Sequence, residues 1–204
     1  MLYEFIRKYV DSREKVEREP GDIFVTDLAS GCKYKAEFLE RFPEIEMKIQ
    51  LEPSILLGSF THSGIQALAS DIYENIEVEK SVEKKIEAEG TLWRIRGRVD
   101  LIVNGVPIEI KTTKTAYRSE AGEYVSNFPY PHHELQLQIY LWMLEKEYGY
   151  LWYFSFDKVA EYKVEARLSD DDIRGLIQKY LAGQRPSWAC MYCEFRKICP
   201  HAER

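Results

Sequence analysis

The sequence lacks any long apolar run. No stretch approaches the ~20 consecutive apolar residues that cross a bilayer, which excludes a membrane-spanning helix. The first residues, MLYEFIRKYVDSREKVERE, carry charges throughout and no uninterrupted apolar segment, which argues against a secretory signal. Internal repeats and low-complexity tracts are also lacking. With 204 residues, 45% of them hydrophobic, the composition is that of one globular domain, which we expect in the cytoplasm.

An excess of basic residues is missing as well. Lys and Arg total 28 against 34 Asp and Glu, which gives a formal net charge of −6. Proteins that bind nucleic acid usually carry a basic balance. If this chain binds nucleic acid, we therefore expect a local basic groove within an acidic whole.

Cysteine is scarce, and its four copies are unevenly spaced. Cys190, Cys193 and Cys199 form a C-x2-C-x5-C group, whereas Cys32 lies far upstream. The second C-x2-C pair that a structural zinc ribbon uses is lacking. Disulfides are disfavoured in a cytoplasmic protein, so this spacing, with Pro200 after the last cysteine, favours an iron–sulfur site. Zinc and four unrelated buried thiols stay open as alternatives.

The periodicity of apolar residues predicts an α/β fold with a mixed sheet. A period of two after residue 76 indicates three consecutive strands, and helical spacing dominates on both sides of them. The predicted helices are residues 1–20, 26–30, 35–41, from Phe60 or Thr61 to about 75, from His132 or His133 to about 148, and 169–181. The predicted strands are 77–89, 92–103, 106–112, 150–156 and 161–166, with a loop over 117–131.

The hairpin formed by the second and third strands places charged residues opposite each other. Asn104-Gly105 is a strong signal for a two-residue turn, so that Val103 pairs with Val106 and Asp100 lies opposite Glu109. Side chains alternate between the faces of a strand, which predicts one charged and one apolar face. The charged face holds Arg96, Arg98, Asp100, Glu109 and Lys111, and the apolar face holds Ile95, Val99, Leu101, Val103, Val106, Ile108 and Ile110.

Two carboxylates directly across a strand pair repel each other. A divalent cation between Asp100 and Glu109 would relieve this repulsion, and oxygen ligands suit Mg²⁺ or Mn²⁺. Lys111, on the same face, can orient and activate an attacking water. The alternative is a solvated polar face on which Arg98 and Lys111 neutralise the two carboxylates. The order of the acidic residues and the lysine favours a functional site.

Several motifs resemble those of known nucleases. Asp100 followed by Glu109-Ile110-Lys111 resembles the D…(D/E)-x-K core of the restriction-endonuclease-like nucleases. Gln136 and Tyr140 in HELQLQIYLWML resemble the Q-x-x-x-Y motif of the RecB branch. His62 in GSFTHSGI resembles the histidine that many RecB-like nucleases add to the metal site.

The positions of the cysteines narrow the resemblance. One cysteine before the motifs and three after them are similar to the iron–sulfur RecB nucleases, and the length is similar to the CRISPR-associated Cas4 family. The resemblance covers about Thr26 to His201, although Val99 stands where the PD motif has proline. It implies one restriction-endonuclease-like domain over 1–204, with a mixed sheet flanked by helices. The nuclease core would be about 55–166, and the cysteine segments about 26–42 and 183–204.

The resemblance also implies an activity. Members of this family cut DNA with Mg²⁺ or Mn²⁺, often as exonucleases on single strands, with endonuclease activity as an open alternative. They process spacer precursors with the Cas1 and Cas2 integrase. A repair or recombination nuclease without a CRISPR role, and a non-catalytic DNA-binding scaffold, remain rival interpretations.

The resemblance further assigns roles to individual residues. The catalytic residues are Asp100, Glu109, Lys111, Gln136 and Tyr140, and the metal ligands are His62, Asp100, Glu109 and the carbonyl of Ile110. A cluster of the 4Fe–4S type, rather than 2Fe–2S, is expected on Cys32, Cys190, Cys193 and Cys199, where it joins the two ends of the domain. DNA is expected to pass Arg94, Arg96, Arg98, Lys111, Lys114 and Arg118. The aromatic residues Tyr117, Tyr124, Phe128 and Tyr130 are expected either to stack on bases or to pack in the fold.

Overall fold

Eight helices and eight strands make up the described part of the chain. A computed structural model describes residues 1–12, 17–113, 117–118, 124–125, 129–155, 158–191 and 193–202. The helices are α1 (Leu2–Asp11), α2 (Val25–Ser30), α3 (Lys33–Arg41), α4 (Pro43–Gln50), α5 (Pro53–Ile72), α6 (Pro131–Leu144), α7 (Asp170–Leu181) and α8 (Ser187–Met191). The strands are β1 (Asp22–Phe24), β2 (Ile76–Ala88), β3 (Thr91–Val103), β4 (Val106–Thr112), β5 (Tyr117–Arg118), β6 (Tyr124–Val125), β7 (Tyr148–Phe154) and β8 (Val159–Glu165).

A six-stranded mixed sheet forms the centre of the fold. Its order is β1-β3-β4-β7-β8, and β2 pairs with β3 in addition. The pairs β1–β3 and β4–β7 are parallel, and the other pairs of this sheet are antiparallel. The short strands β5 and β6 form a separate two-stranded sheet. These pairings confirm the predicted α/β class with a mixed sheet.

Helices cover both faces of this sheet. The main apolar cluster packs α6 and α7 against it, with buried residues such as Leu137, Leu141, Ile173 and Ile177. A second cluster packs α5 against the other face through Ala69 and neighbouring apolar residues. In the described ranges, no helix combines the length and the apolar character needed to cross a membrane.

Strand β3 has two different partners along one of its edges. Because β2 pairs along nearly the whole of β3, the strands β1 and β4 share the opposite edge, at residues 94–96 and 101–103 respectively. Residues 97–100 face neither of these two strands. In this gap the Tyr140 hydroxyl donates to the Arg98 carbonyl (3.0 Å) and accepts from the Arg98 amide (3.2 Å). A Cβ atom on Gly97 would lie 2.6 Å from the Tyr140 ring, so glycine permits this approach.

The predicted register of the β3–β4 hairpin is confirmed only near its turn. Val103 pairs with Val106 and Leu101 with Ile108, as the Asn104-Gly105 turn requires. The ladder ends there, so the prediction that Asp100 and Glu109 form a strand pair is wrong. Because the strands separate at this point, the two carboxylates lie at the start of the gap.

The predicted alternation of side chains along β3 is also wrong at Asp100. Val99 packs in the main cluster with α6, whereas Leu101, two residues later, packs in the second cluster with α5. The β2–β3 ladder omits the pair Glu79–Asp100, and Glu79 has a left-handed backbone with φ of 51°. A backbone irregularity thus shifts the alternation by one residue.

Several element boundaries differ from the sequence prediction. The elements α4, α8 and β1 were not predicted, and α1 ends at Asp11 instead of near residue 20. The short strands β5 and β6 lie within the range 117–131, which was predicted to be a loop. Helix α5 begins at Pro53 rather than at Phe60 or Thr61, since proline is favoured in the first turn of a helix. The predicted capping box of Ser169 and Asp172 on α7 is confirmed.

Candidate active site

A cavity of about 1170 Å³ opens beside the gap in β3. Its lining comes from α5, α6, the strands β2, β3 and β4, the end of β1 and the start of α2, and from Tyr9, Glu17 and Glu19. The six side chains that the sequence predicts to act in catalysis or metal binding line it together: His62, Asp100, Glu109, Lys111, Gln136 and Tyr140.

Glu109, Lys111 and Gln136 form a closed triangle of polar contacts. The Lys111 ammonium donates to Glu109 Oε1 and to Gln136 Oε1, at 2.8 Å in each case. The Gln136 amide donates to the same Glu109 Oε1 at 2.6 Å. Strand alternation brings Glu109 and Lys111 to one face of β4, and α6 lays Gln136 over that face.

The second carboxylate oxygen of Glu109, Oε2, takes no part in these contacts. Glu109 is only 3% exposed, and its Oε2 is buried without a hydrogen-bond partner. Burial is the largest cause that raises the pKa of Glu109, and the nearby Asp100 carboxylate raises it further, against the opposing effect of Lys111. A buried acceptor without a donor is costly, and a cation would satisfy it.

Asp100 is held from both sides of the cavity. Its Oδ2 accepts a hydrogen bond from the Ile110 amide at 2.7 Å, and His62 Nδ1 on α5 lies 3.5 Å from the same oxygen. The structure thus brings His62 beside Asp100, on the same side of the sheet. Whether His62 and the Ile110 carbonyl bind a metal stays a prediction.

The donor set of this cavity fits a hard divalent cation. The carboxylates of Asp100 and Glu109 and the imidazole of His62 line one cavity, and one oxygen of Glu109 is unpartnered; Mg²⁺ and Mn²⁺ prefer carboxylate oxygens. Among the residues that the structure describes, no three His, Cys, Asp or Glu side chains are already arranged as a metal site. Binding would therefore require a rearrangement of these side chains.

Tyr140 lines the cavity, but its hydroxyl is engaged elsewhere. It is 2% exposed and bonded to both backbone groups of Arg98. Burial is the main cause that raises the pKa of this hydroxyl, so it stays protonated. The structure thus shows Tyr140 holding β3 in place, and its predicted contact with a phosphate stays a prediction.

Of the predicted DNA-binding arginines, Arg96 and Arg98 line the cavity, and both of them, like Arg94, are paired with carboxylates. Arg96 donates to Asp22 at 2.7 Å, Arg94 donates to the other oxygen of Asp22 at 2.6 Å, and Arg98 is bonded to Glu79. Their binding to DNA stays a prediction that requires exchange of these partners.

The described residues do not form the basic groove that the sequence predicts; they form an acidic cavity wall. The carboxylates that line the cavity are Glu17, Glu19, Glu79, Glu83, Asp100 and Glu109, against the cations Arg96, Arg98 and Lys111. The acidic excess arises because residues 17–19 and β2 contribute glutamates to the wall, and it suits a cation site better than a phosphate channel. Lys114 and Phe128, and the side chains of Tyr117, Arg118 and Tyr124, lie outside the described part; Tyr130 caps the N-terminus of α6.

Sequence reasoning missed two polar residues of this site. Gln66 on α5 is 8% exposed and donates to Glu79 at 2.6 Å, and the same amide lies 3.4 Å from the Asp100 carbonyl. Gln66 could have been found, since it follows His62 by one helical turn. The sequence carries no signal for Glu79, because a glutamate in a strand is ordinarily solvated.

The four cysteines form a second place of interest, away from this cavity. Cys32, Cys190, Cys193 and Cys199 line one small cavity between α3 and the C-terminal segment. The predicted meeting of the N-terminal region with the C-terminus is thereby confirmed. Arg185 Nε donates to Cys190 Sγ at 3.0 Å, and burial is the main cause that raises the pKa of Cys193.

Four sulfur atoms around one cavity fit an iron–sulfur cluster or a zinc ion by their chemistry. A guanidinium donating to Cys190 is compatible with a thiolate ligand. In the described ranges, however, no three of these cysteines are already placed as metal ligands. The identity of a bound group therefore stays a prediction.

Comparison with known proteins gives concordant matches. A family model for the PD-(D/E)XK nuclease superfamily matches residues 69–200. The CRISPR-associated exonuclease Cas4 of Saccharolobus solfataricus is 33% identical over 209 aligned residues, which cover 98% of this chain and 98% of that protein. The crystal structure of SSO0001 has a TM-score of 0.87 and 31% identity, covering 100% of this chain and 98% of that one. An alkaline exonuclease (LHK-Exo) from Laribacter hongkongensis shares the fold, with a TM-score of 0.52 and 14% identity over 87% of this chain and 92% of its own.

Proposed function

Since this chain belongs to the PD-(D/E)XK nuclease superfamily and, within it, to the family of the CRISPR-associated Cas4 exonucleases, we propose that it hydrolyses phosphodiester bonds of DNA with Mg²⁺ or Mn²⁺. Membership of the superfamily makes it a nuclease, an enzyme of the hydrolase class. The observation that carries the metal dependence is the buried, unpartnered Oε2 of Glu109 beside the Asp100 carboxylate.

The proposed ligands of the cation are His62, Asp100, Glu109 and the carbonyl of Ile110. A bound Mg²⁺ or Mn²⁺ supplies Lewis-acid stabilisation of the phosphate and activation of water. The protein's part is to keep two carboxylates together that would otherwise repel. The Ile110 amide holds Asp100, and Lys111 and Gln136 hold Glu109.

Lys111 has a further part in the proposed reaction. An ammonium group has three N–H donors, and Glu109 and Gln136 take two of them. The third donor can bind the attacking water or a non-bridging phosphate oxygen, where its positive charge opposes the charge that develops in the transition state. Gln136 thus positions Lys111 and Glu109 with one side chain.

We propose single-stranded DNA as the preferred substrate. The cavity is lined by α5, α6 and the N-terminal segment as well as by the sheet, and such a site accommodates a flexible strand more readily than a stiff duplex. By analogy with the relative named as a CRISPR-associated exonuclease, we propose a cytoplasmic role in processing spacer precursors, with Cas1 and Cas2 as partners.

We further propose that the cysteine cavity holds a 4Fe–4S cluster. Its support is the presence of four sulfur donors around one cavity, with two of the donors from a C-x2-C pair. The cluster would thereby join Cys32, which precedes α3, to Cys190 in α8 and to Cys193 and Cys199 in the segment after it. In this proposal the cluster holds the two ends of the domain together and takes no part in hydrolysis.

The test is cleavage of end-labelled single-stranded and double-stranded oligonucleotides, with and without Mn²⁺. We expect cleavage only with the metal, faster on single strands, and its loss in Asp100→Asn. Asp71→Asn, which changes an exposed aspartate on α5, is the matched control and should cleave like the parent. Metal-independent cleavage, or cleavage by Asp100→Asn at the parental rate, would contradict the proposal.

A further inference from the structure

One residue of β2 adopts a backbone conformation that its neighbours in the strand do not share. Among the described residues, the non-glycine residues with a left-handed φ are Glu79, Glu89, Asn104 and Glu145. Glu89 and Asn104 lie in the turns that follow β2 and β3, and Glu145 caps the end of α6. Glu79 alone of these four lies inside a strand, where such a conformation is strained and points to a functional constraint.

The side chain of Glu79 is fixed at both of its oxygens. Oε1 accepts a hydrogen bond from the buried Gln66 amide at 2.6 Å, and Oε2 pairs with Arg98. Gln66 is held on α5, one turn after His62, so Glu79 is tied to the helix that also contacts Asp100. These contacts hold the backbone of β2 in its irregular conformation.

The irregularity lies directly across from Asp100. The β2–β3 pairs Val78–Leu101 and Lys80–Val99 flank it, whereas the pair Glu79–Asp100 is missing from the ladder. The Gln66 amide that bonds Glu79 lies 3.4 Å from the Asp100 carbonyl. At this point the alternation of β3 shifts by one residue, which brings Asp100 to the Glu109 side of the gap.

We propose that Glu79 is a positioning residue for the cation site. Through its hydrogen bond with Gln66, it fixes the strand irregularity opposite Asp100 and so keeps the Asp100 carboxylate beside Glu109. This inference rests on the proposed nuclease function, but it concerns the geometry of metal binding, which can be measured without cleavage. Glu79 itself contacts neither the reacting phosphate nor the water in this account.

The experiment compares Glu79→Ala with Glu83→Ala. Glu83 lies on the same strand and lines the same cavity, but its backbone is regular, so the pair separates positioning from simple removal of a negative charge. For Glu79→Ala we expect kcat to fall about tenfold or more and the half-saturating Mn²⁺ concentration to rise. KM for DNA should not rise, because a carboxylate is removed and Arg98 is released. Glu83→Ala should keep kcat within about twofold of the parent.

A conservative variant and a direct binding measurement complete the test. Glu79→Gln keeps an acceptor for Gln66, and we expect it to restore kcat and Mn²⁺ affinity to within about threefold of the parent. Mn²⁺ binding, measured by electron paramagnetic resonance, should be weaker in Glu79→Ala than in the parent whether or not the parent cuts DNA. A parent that cuts no DNA would overturn the proposed function, and weaker Mn²⁺ binding by Glu79→Ala would still support this inference. If Glu79→Ala fails to fold, Gln66→Leu removes the same hydrogen bond. Equal Mn²⁺ affinity and kcat in Glu79→Ala and Glu83→Ala, or a loss in Glu79→Gln as large as in Glu79→Ala, would overturn it.

Discussion

The Asp100 carboxylate accepts a hydrogen bond from the backbone amide of Ile110, with 2.7 Å between Oδ2 and N. In a continued β3–β4 ladder, this amide would bond a backbone carbonyl, but the paired region ends at Leu101 and Ile108. The side chain of Asp100 therefore replaces the missing strand partner. Since Glu109 precedes Ile110 in the same strand, this bond fixes the separation of the two carboxylates.

The Tyr140 hydroxyl likewise replaces a missing strand partner in this gap, and removal of the hydroxyl should lower the stability of the protein. Tyr140→Phe leaves the Arg98 amide and carbonyl without their hydroxyl partner. We expect the free energy of unfolding to fall by about 1–3 kcal/mol, measured by urea denaturation. The loosened strand carries Asp100, and cleavage should slow more than Mn²⁺ affinity falls, because catalysis depends more steeply than binding on the exact position of a catalytic group.

Tyr148→Phe is the control for this change, since Tyr148 begins β7 away from the gap. Its unfolding free energy should stay within about 0.5 kcal/mol of the parent. Equal stability of Tyr140→Phe and the parent would contradict the role of the hydroxyl in β3.

The hairpin illustrates what sequence alone determines. The Asn104-Gly105 turn and the alternation near it set the register from Leu101 to Ile108, because both are local properties of the chain. The break at Asp100 depends on Glu79 and Gln66, which are distant in sequence, and no local pattern predicts it. The acidic cavity wall escaped prediction for the same reason, since residues 17–19 approach β3 only in the fold.

The element boundaries show a similar division. Strands β2, β3 and β4 and helix α7 follow from periodicity and capping residues, and their predicted bounds are close to those observed. Strand β1 has three residues, and its parallel pairing with Arg94–Arg96 is a tertiary contact. The start of α5 at Pro53 could have been predicted from the preference of proline for a first helical turn.

Metal binding should stabilise the protein through the Glu109 carboxylate. A ligand that binds only the folded state raises the melting temperature, and the stabilisation grows with the logarithm of one plus the ratio of its concentration to Kd. We expect Mn²⁺ to raise the melting temperature of the parent by several degrees. His62→Ala should need a higher Mn²⁺ concentration for the same rise, and the melting temperature of Glu109→Gln should change little. The measurement is thermal unfolding across a Mn²⁺ titration, with Ca²⁺-free buffer and a chelator as baseline. A full shift in Glu109→Gln would contradict its role as a ligand.

Asp22 should contribute stability that depends on pH. Burial alone would raise its pKa, but hydrogen bonds donated by Arg94, the Glu19 amide and Arg96 outweigh burial and lower the pKa from 3.8 to about 2. A depressed folded-state pKa stabilises the protein above the unfolded value, and this stability is lost as the pH falls from about 4 to about 2. Asp22→Asn should therefore be less stable than the parent at pH 7, by about 1–2 kcal/mol.

The difference between Asp22→Asn and the parent should shrink below pH 4, as the parent's carboxylate takes up its proton. Urea unfolding at a series of pH values measures it. A difference that is constant from pH 7 to pH 2 would show that the ion pairs with Arg94 and Arg96 do not supply this stability.

The cysteine cavity makes a prediction that is independent of cleavage. Protein purified without oxygen should be brown, absorb near ~400 nm and contain iron and acid-labile sulfide. Replacing Cys32, Cys190, Cys193 or Cys199 by alanine should bleach the protein and lower its stability, because the cluster joins distant parts of the chain. Asp100→Asn should stay brown. A colourless protein with stoichiometric zinc would contradict the cluster and leave the proposed nuclease untouched.

The most direct test of the central claim is single-turnover cleavage of single-stranded DNA at saturating Mn²⁺ by Glu109→Gln and Lys111→Ala. Each change removes one corner of the triangle that Glu109, Lys111 and Gln136 form. Lys146→Ala, at the end of α6 and away from the cavity, is the control for lost positive charge. The account predicts that the cleavage rate of both site variants is lower than that of the parent by about a thousandfold or more, and that the control cleaves at the parental rate. Cleavage by either site variant within about threefold of the parent would contradict it.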